Sequence, residues 1–232
     1  MTSICLDAYN LSLPKGTGIA SYTRSLLDNN RRLGFENHVL FGPSSARQND
    51  PFANEMALID VPRPGVGGGR FRAWARTLTS GLGVTAHPVK RTGKVVWPAA
   101  AQAATIDHMW AGQSIFARAI RSYHRYGAMT PVRFDQSDAP VPDIMHWTST
   151  LPLYCSNAPN IYTIHDLIPI KLPYAAGGSK TTLLNLCKKE LQEQYSDLQQ
   201  RLAVLQEHAQ EHAREEDEFE PGSRPTIPPG GL

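Results

Sequence analysis

The sequence predicts an α/β protein, with a parallel sheet flanked by helices over residues 1–178, an acidic coiled-coil-like helix over 179–220 and a disordered tail over 221–232. Three observations carry this. An apolar strand, a glycine-containing turn and an amphipathic helix open the chain in that order. Further apolar runs of strand length follow through short connections. Leucines at intervals of seven, Leu184, Leu191, Leu198 and Leu205, mark a separate helix near the end.

Ile4-Cys5-Leu6 reads as the first strand and ends at Asp7. A polar turn with Pro14 and Gly16-Thr17-Gly18 comes next. From Ile19 to Arg32 the residues Ile19, Tyr22, Leu26, Leu27 and Leu33 recur at helical spacing, and Gly34 fits the C-cap. His38 to Phe41 reads as a second strand, stopped by Gly42-Pro43, and Met56 to Val61 as a third. Pro62 to Gly69 can only be a loop. Two short basic amphipathic helices flank the stretch from Pro88 to Ala104. One carries Phe71, Trp74 and Leu78 beside Arg70, Arg72 and Arg76; the other carries Ile115, Phe116, Ala119, Ile120 and Tyr123 beside Arg118, Arg121 and Arg125. Asp143 to Trp147 and Asn160 to Ile164 read as later strands. Beyond Gly177-Gly178, Tyr195 and Leu202 complete part of a second seam on the long helix, and Lys188 weakens it. The tail from Pro221 is rich in proline and glycine.

Charge is informative by region. The net charge of +2 hides eleven basic residues and one acid over residues 61–133, a local balance of +10, and four bases against ten acids over 184–220. This predicts a basic surface on the body and an acidic appendage. No stretch approaches the ~20 apolar residues that cross a bilayer, and the first residues lack the features of a secretory signal. Cys5, Cys155 and Cys187 are odd in number and lack metal spacing, so free thiols in a reducing cytosol are expected. The expected location is cytoplasmic, with a peripheral contact at the inner face of the plasma membrane.

Gly16-Thr17-Gly18 lies between a strand and a helix, where backbone N–H groups favour a phosphate. A tight turn without ligand would look the same. The dinucleotide pattern G-x-G-x-x-G fails at Ser21, and no acid ends a second strand, which argues against NAD. His165-Asp166 falls just past the end of a strand, where open α/β sheets bind ligands, and His146 ends the strand before it. The pair suits hydrogen bonding to a sugar hydroxyl or proton transfer; an aspartate capping a turn and a histidine packed on Pro169 or Tyr174 would account for it equally. G-x-S-x-G, H-E-x-x-H and Asp-x-Asp are absent, so no metal and no cofactor are expected; His208 and His212 read as a solvated helix face. The arginines and aromatics of the basic middle suit anionic headgroups or phosphate backbones, and equally a helix packing its aromatic stripe on the sheet. No nucleic-acid partner is expected.

Asp7-Ala8-Tyr9-Asn10 and Lys15-Gly16-Thr17-Gly18-Ile19-Ala20-Ser21-Tyr22-Thr23-Arg24-Ser25-Leu26 resemble the opening of bacterial family 4 glycosyltransferases. Met145-His146-Trp147 and Ile161-Tyr162-Thr163-Ile164-His165-Asp166-Leu167-Ile168-Pro169 resemble two later strand ends of the same enzymes, so the resemblance covers about residues 3–175. It implies the N-terminal, Rossmann-like half of a GT-B architecture and retaining hexosyl transfer from a nucleotide-sugar without an essential metal, in cell-surface polysaccharide synthesis. By that similarity Gly16, Thr17 and Gly18 would lie near the donor diphosphate, His165 would contact the donor sugar and Asp166 would help orient it. Arg70, Trp74, Arg118 and Arg121 would meet the glycan or lipid-linked acceptor, or the membrane. The family's second half, which binds the nucleotide and carries E-x7-E, has no counterpart here; Glu207 and Glu215 match that spacing by chance in a Glu-rich helix. An incomplete or partner-dependent enzyme is therefore expected. The alternative is a non-catalytic interaction protein dimerising through Leu184–Leu205.

Overall fold

A computed structural model of the chain describes residues 1–11, 18–59, 83–97, 105–136, 139–166, 171 and 180–218. The chain divides into two compact units, Met1–Gln194 and Tyr195–Leu232. Gly16, Thr17, the first basic helix with Arg70 and Trp74, the loop from Pro62, the boundary at Gly177-Gly178 and the tail from Pro221 lie outside the described residues.

Among the described residues, eight strands build one sheet in the first unit: β1 (Ser3–Asp7), β2 (Glu36–Phe41), β3 (Val84–Val89), β4 (His108–Ala111), β5 (Thr130–Phe134), β6 (Ile144–Trp147), β7 (Leu153–Cys155) and β8 (Asn160–Tyr162). Their order is β7-β5-β3-β4-β2-β1-β6-β8. Neighbours are parallel within β8-β6-β1-β2-β4 and within β3-β5-β7, and the two sets meet in the antiparallel pair β3·β4, with Pro88 opposite Trp110. The sheet is thus mostly parallel, with one reversal that the sequence does not announce.

The helices are α1 (Gly18–Arg32), α2 (Pro51–Ile59), α3 (Ile115–Tyr126) and α4 (Lys180–Glu218). α1 ends as expected. Gly34 has φ +81°, and Phe35 N donates to Asn30 O at 2.9 Å as the chain leaves the last turn. The third strand expected at Met56–Val61 is corrected: Met56 to Ile59 form the end of α2. Asp50 caps that helix by accepting from Phe52 N at 3.0 Å, and Pro51 occupies its first turn. Glu55 and Leu58, three apart, are buried while Met56 is exposed, which is helical rather than strand periodicity. The strand expected over Asn160–Ile164 stops at Tyr162. α3 buries Ile115, Phe116, Ala119 and Tyr123 on one face, as the spacing predicts.

Both faces of the sheet are covered. Cys5, Leu40, Trp110, Val132, Met145 and Trp147 belong to one apolar cluster with α3, and Leu6, Val39, Phe41 and Met109 belong to another with Leu27 of α1 and Leu58 of α2. Neighbouring residues of one strand enter opposite clusters, as the strand period of two requires. Buried Asn37 ties the edge together: its Nδ2 donates to Leu27 O at 2.8 Å and Thr105 O at 2.9 Å, and its Oδ1 accepts from Asn30 Nδ2 at 3.1 Å. All three cysteines are buried free thiols. The N-terminal half of α4 buries Leu186, Cys187 and Glu190, with Lys189 Nζ donating to Gly127 O and Gln194 Nε2 donating to Asn160 O at 3.1 Å.

Candidate functional site

β1 lies between β2 and β6. The chain turns to one side of β1 first and returns to its other side later, so the loops after β1 and β6 diverge. That divergence, outside the carboxyl ends of parallel strands, is where open α/β sheets form a crevice.

Asp7 anchors the two loops. Its carboxylate is fully buried and accepts from the backbone N–H of Thr148, from Thr148 Oγ1 at 2.8 Å and from Tyr9 N at 3.1 Å. Burial pushes its pKa up to about 6, against the pull of those donors. Asn10 Nδ2 donates to Ser149 Oγ at 3.3 Å. Beyond this latch lies a cavity of about 270 Å³, walled by Tyr9 and Asn10 after β1, Ile19 of α1, Ser149 and Thr150 after β6, and Tyr123 of α3. Thr182 and Leu186 of α4 close another side. Among the described residues its walls combine the polar groups of Tyr9, Asn10, Tyr123, His124, Ser149, Thr150 and Thr182 with the aliphatic side chains of Ile19, Ile120, Leu151, Pro152 and Leu186, and include no carboxylate, lysine or arginine. Such a lining suits a neutral ligand with both polar and apolar surface more than a charged one.

Beside the crevice four side chains converge. His146 Nε2 lies 2.8 Å from Thr163 Oγ1, and Tyr22 OH lies 3.2 Å from the same hydroxyl. The Tyr22 ring meets His165 edge-on, at 5.0 Å and 85°. His165 Nε2 donates to Thr148 O at 2.7 Å. That bond places the ring proton on Nε2 and leaves the lone pair on Nδ1 in the neutral ring. His165 and Asp166 are exposed, whereas His146 is half-buried. Burial, then the charge of His165, lower the pKa of His146. Gly18 opens α1, and a Cβ placed on it would meet nothing within 4 Å.

The structure therefore brings Gly18, His146 and His165 to one edge of the sheet. Tyr22, Thr148 and Thr163 complete the group, and local pattern does not show that they meet: Tyr22 and Thr163 are 141 residues apart. Arg118 and Arg121 lie elsewhere, on α3. Arg121 is exposed, and Arg118 is half-buried in the wall of a second cleft beside β3 and β4.

At the opposite end of the sheet, donor atoms of Glu36, His38 and His108 lie within 4.8 Å of one another. The indole N–H of Trp110 donates to His38 Nδ1 at 3.1 Å, so the proton of this buried ring sits on Nε2. Burial and the neighbouring His108 lower its pKa to about 4, which keeps it neutral. One imidazole nitrogen is taken by a donor and the other carries a proton, so the trio does not offer three lone pairs to a cation. No family model, no curated protein and no solved structure matches this chain.

Proposed function

We propose that the sheet unit is the Rossmann-like acceptor half of a GT-B, retaining glycosyltransferase. One observation carries the reading. The described parts of the segments that resemble family 4 enzymes are far apart in the chain yet are tied together by hydrogen bonds, Asn10 with Ser149, Tyr22 and His146 with Thr163, and His165 with Thr148, and Tyr9, Asn10 and Ile19 among them line the adjoining crevice.

In this reading the glycosyl carbon leaves the donor diphosphate and bonds to the acceptor oxygen, while the acceptor proton departs toward the leaving group. Negative charge builds on the diphosphate, and the amino terminus of α1 at Gly18 presents N–H groups and a positive dipole end to it. Gly16 and Thr17 would extend that cradle. His165, oriented through Nε2 by Thr148 O, offers Nδ1 to a hydroxyl of the donor sugar, and Asp166 helps orient it. Arg118 and Arg121, with Arg70 and Trp74, meet a phosphate-bearing or lipid-linked acceptor at the inner membrane face. Among the described residues, no helix is long and apolar enough to cross a membrane.

The test is calorimetric titration with UDP-, GDP- and dTDP-sugars. One of them binds, Gly18→Trp abolishes binding by filling the open space at the start of α1, and His165→Ala weakens it about tenfold. Binding that is indifferent to both substitutions would sink the proposal.

A second reading, an interaction protein dimerising through α4, rests on a different observation. Leu191, Tyr195, Leu198, Leu202 and Leu205 are 56–66% exposed and alternate in steps of four and three, which is the seam of a coiled coil. Gln192, Gln199 and Gln206 border the seam, so a second copy of the chain would meet amides there rather than like charges. His165→Ala leaves such self-association untouched.

A further inference from the structure

The first part of α4 packs on the sheet unit, which ends at Gln194. Burial recurs along it at helical spacing. Leu186, Cys187 and Glu190 are buried and Leu183, Glu193 and Gln194 half-buried, while Lys188, Leu191 and Gln192 are exposed. The inward face therefore carries a carboxyl group beside Leu186 and Cys187. The same segment closes one side of the crevice, because Thr182 and Leu186 line its cavity together with Tyr9, Asn10 and Ser149.

Among the described residues no donor reaches that carboxyl: both oxygens of Glu190 are buried and neither has a hydrogen-bond partner. Two donors beside it are committed elsewhere. Lys189 Nζ donates to Gly127 O at the end of α3 and lies 5.8 Å from the centre of the Tyr123 ring. Tyr162 OH donates to Leu153 O at 2.8 Å. Burial and the charge of Glu190 raise the pKa of Tyr123 on α3, Tyr162 on β8 and Cys187 on α4. The charge of Glu193, one turn on, also acts on Tyr162 and on Tyr154 of β7, where Arg133 of β5 opposes it. His124 of α3 lines the cavity. A protonated carboxyl is tolerable on such a face, whereas a carboxylate buried without a partner is far more costly. The hydrogen bonds of Lys189 and of Gln194, which donates to Asn160 O, are single bonds to backbone carbonyls and do not offset a buried charge. A leucine at this position would hold the helix down at every pH; a glutamate holds it only while protonated.

We infer that residues 180–194 form a strap over the crevice, held down while Glu190 keeps its proton and released when Glu190 ionises, so that ionisation opens the cavity beside Tyr9 and Ser149. The inference stands whatever the cavity holds and needs nothing of the sugar-transfer reading.

The experiment is thiol labelling of the full chain, with mass spectrometry to locate the label. Cys187 sits on the strap, whereas Cys5 and Cys155 lie in the sheet core, so the three thiols separate local release from global unfolding. Glu190→Gln keeps the shape without the charge, and comparison with it cancels the general effect of pH on thiol reactivity. The ratio of Cys187 labelling rates, wild type over Glu190→Gln, should rise about tenfold between about pH 6.5 and about pH 7.5, with Cys5 and Cys155 unlabelled. With Thr150→Cys added, the thiol placed in the cavity wall should gain access over the same range. Hydrogen exchange of the wild type needs no variant. Corrected for intrinsic rates, protection of amides 186–190 should fall about tenfold over that pH unit while that of Leu6 and Val39 holds. A constant ratio, labelling of all three native thiols together, a silent thiol at position 150 or unchanged amide protection would overturn the inference.

Discussion

Among the described residues, Glu190 of α4 has no hydrogen-bond partner. It is 2% exposed, and neither of its oxygens has one. Tyr123 of α3, Tyr162 of β8 and Cys187 one turn back on α4 are the titratable groups that sense its charge. Burial pushes its pKa up to about 8, from an ordinary value of 4.5. The folded state therefore holds a proton that the unfolded chain releases between these values. Stability from this group is full below about pH 4.5 and is lost as pH rises through 8. Urea denaturation at about pH 6 and about pH 9 should show the loss, and Glu190→Gln should remove most of that slope; a slope unchanged in the variant would contradict the assignment. Asp7 differs because its carboxylate is fully used. Asp7→Asn would turn an amide N–H toward the donors of Thr148 or Tyr9, at a cost of about 1–3 kcal/mol, measurable by the same denaturation. At this scale the sequence is uneven. Asp7, His146 and His165 are legible because they fall at or just past the ends of strands. Glu190 is not, because nothing local marks a glutamate in an acidic helix as buried.

Local pattern decides the elements where it is unambiguous. The strand Ser3–Asp7 and the amphipathic helix Gly18–Arg32 are legible because each has its own period and α1 has a glycine stop. Met56-Ala57-Leu58-Ile59 has no period of its own, and the cap at Asp50-Pro51 lies outside a strand-sized window, so the run reads as a strand and folds as a helix. β3, β4, β5 and β7 escape for related reasons. β3 and β5 contain Pro88 and Pro131, which argue against central strands, and β4 and β7 are only four and three residues long. The heptad in α4 is legible because it is long. It also makes the prediction that belongs to this scale: sedimentation equilibrium should detect self-association of the full chain, and Leu198→Asp combined with Leu202→Asp should abolish it. A wild-type chain that stays monomeric at high micromolar concentration would remove the second functional reading.

Among the described residues, the sheet is covered on both faces and reverses direction once, and the proposed crevice sits where the strand order switches sides. The crevice proposed to take the sugar lies where the chain switches sides of β1. The reversal has no signature in the sequence because it depends on pairings such as Pro88 with Trp110, set by packing rather than by local preference. The contrast between a basic middle and an acidic end was visible from residue counts alone, yet it did not indicate that Arg118 and Arg121 stand apart from His165. The most direct measurement is an NMR titration of the full chain with UDP-, GDP- and dTDP-sugars, reading which residues respond. The account predicts saturable shifts at Gly18, Tyr22, Thr163 and His165 with one of the three. No shift at those residues up to millimolar donor, or shifts confined to residues far from them, would contradict the glycosyltransferase reading.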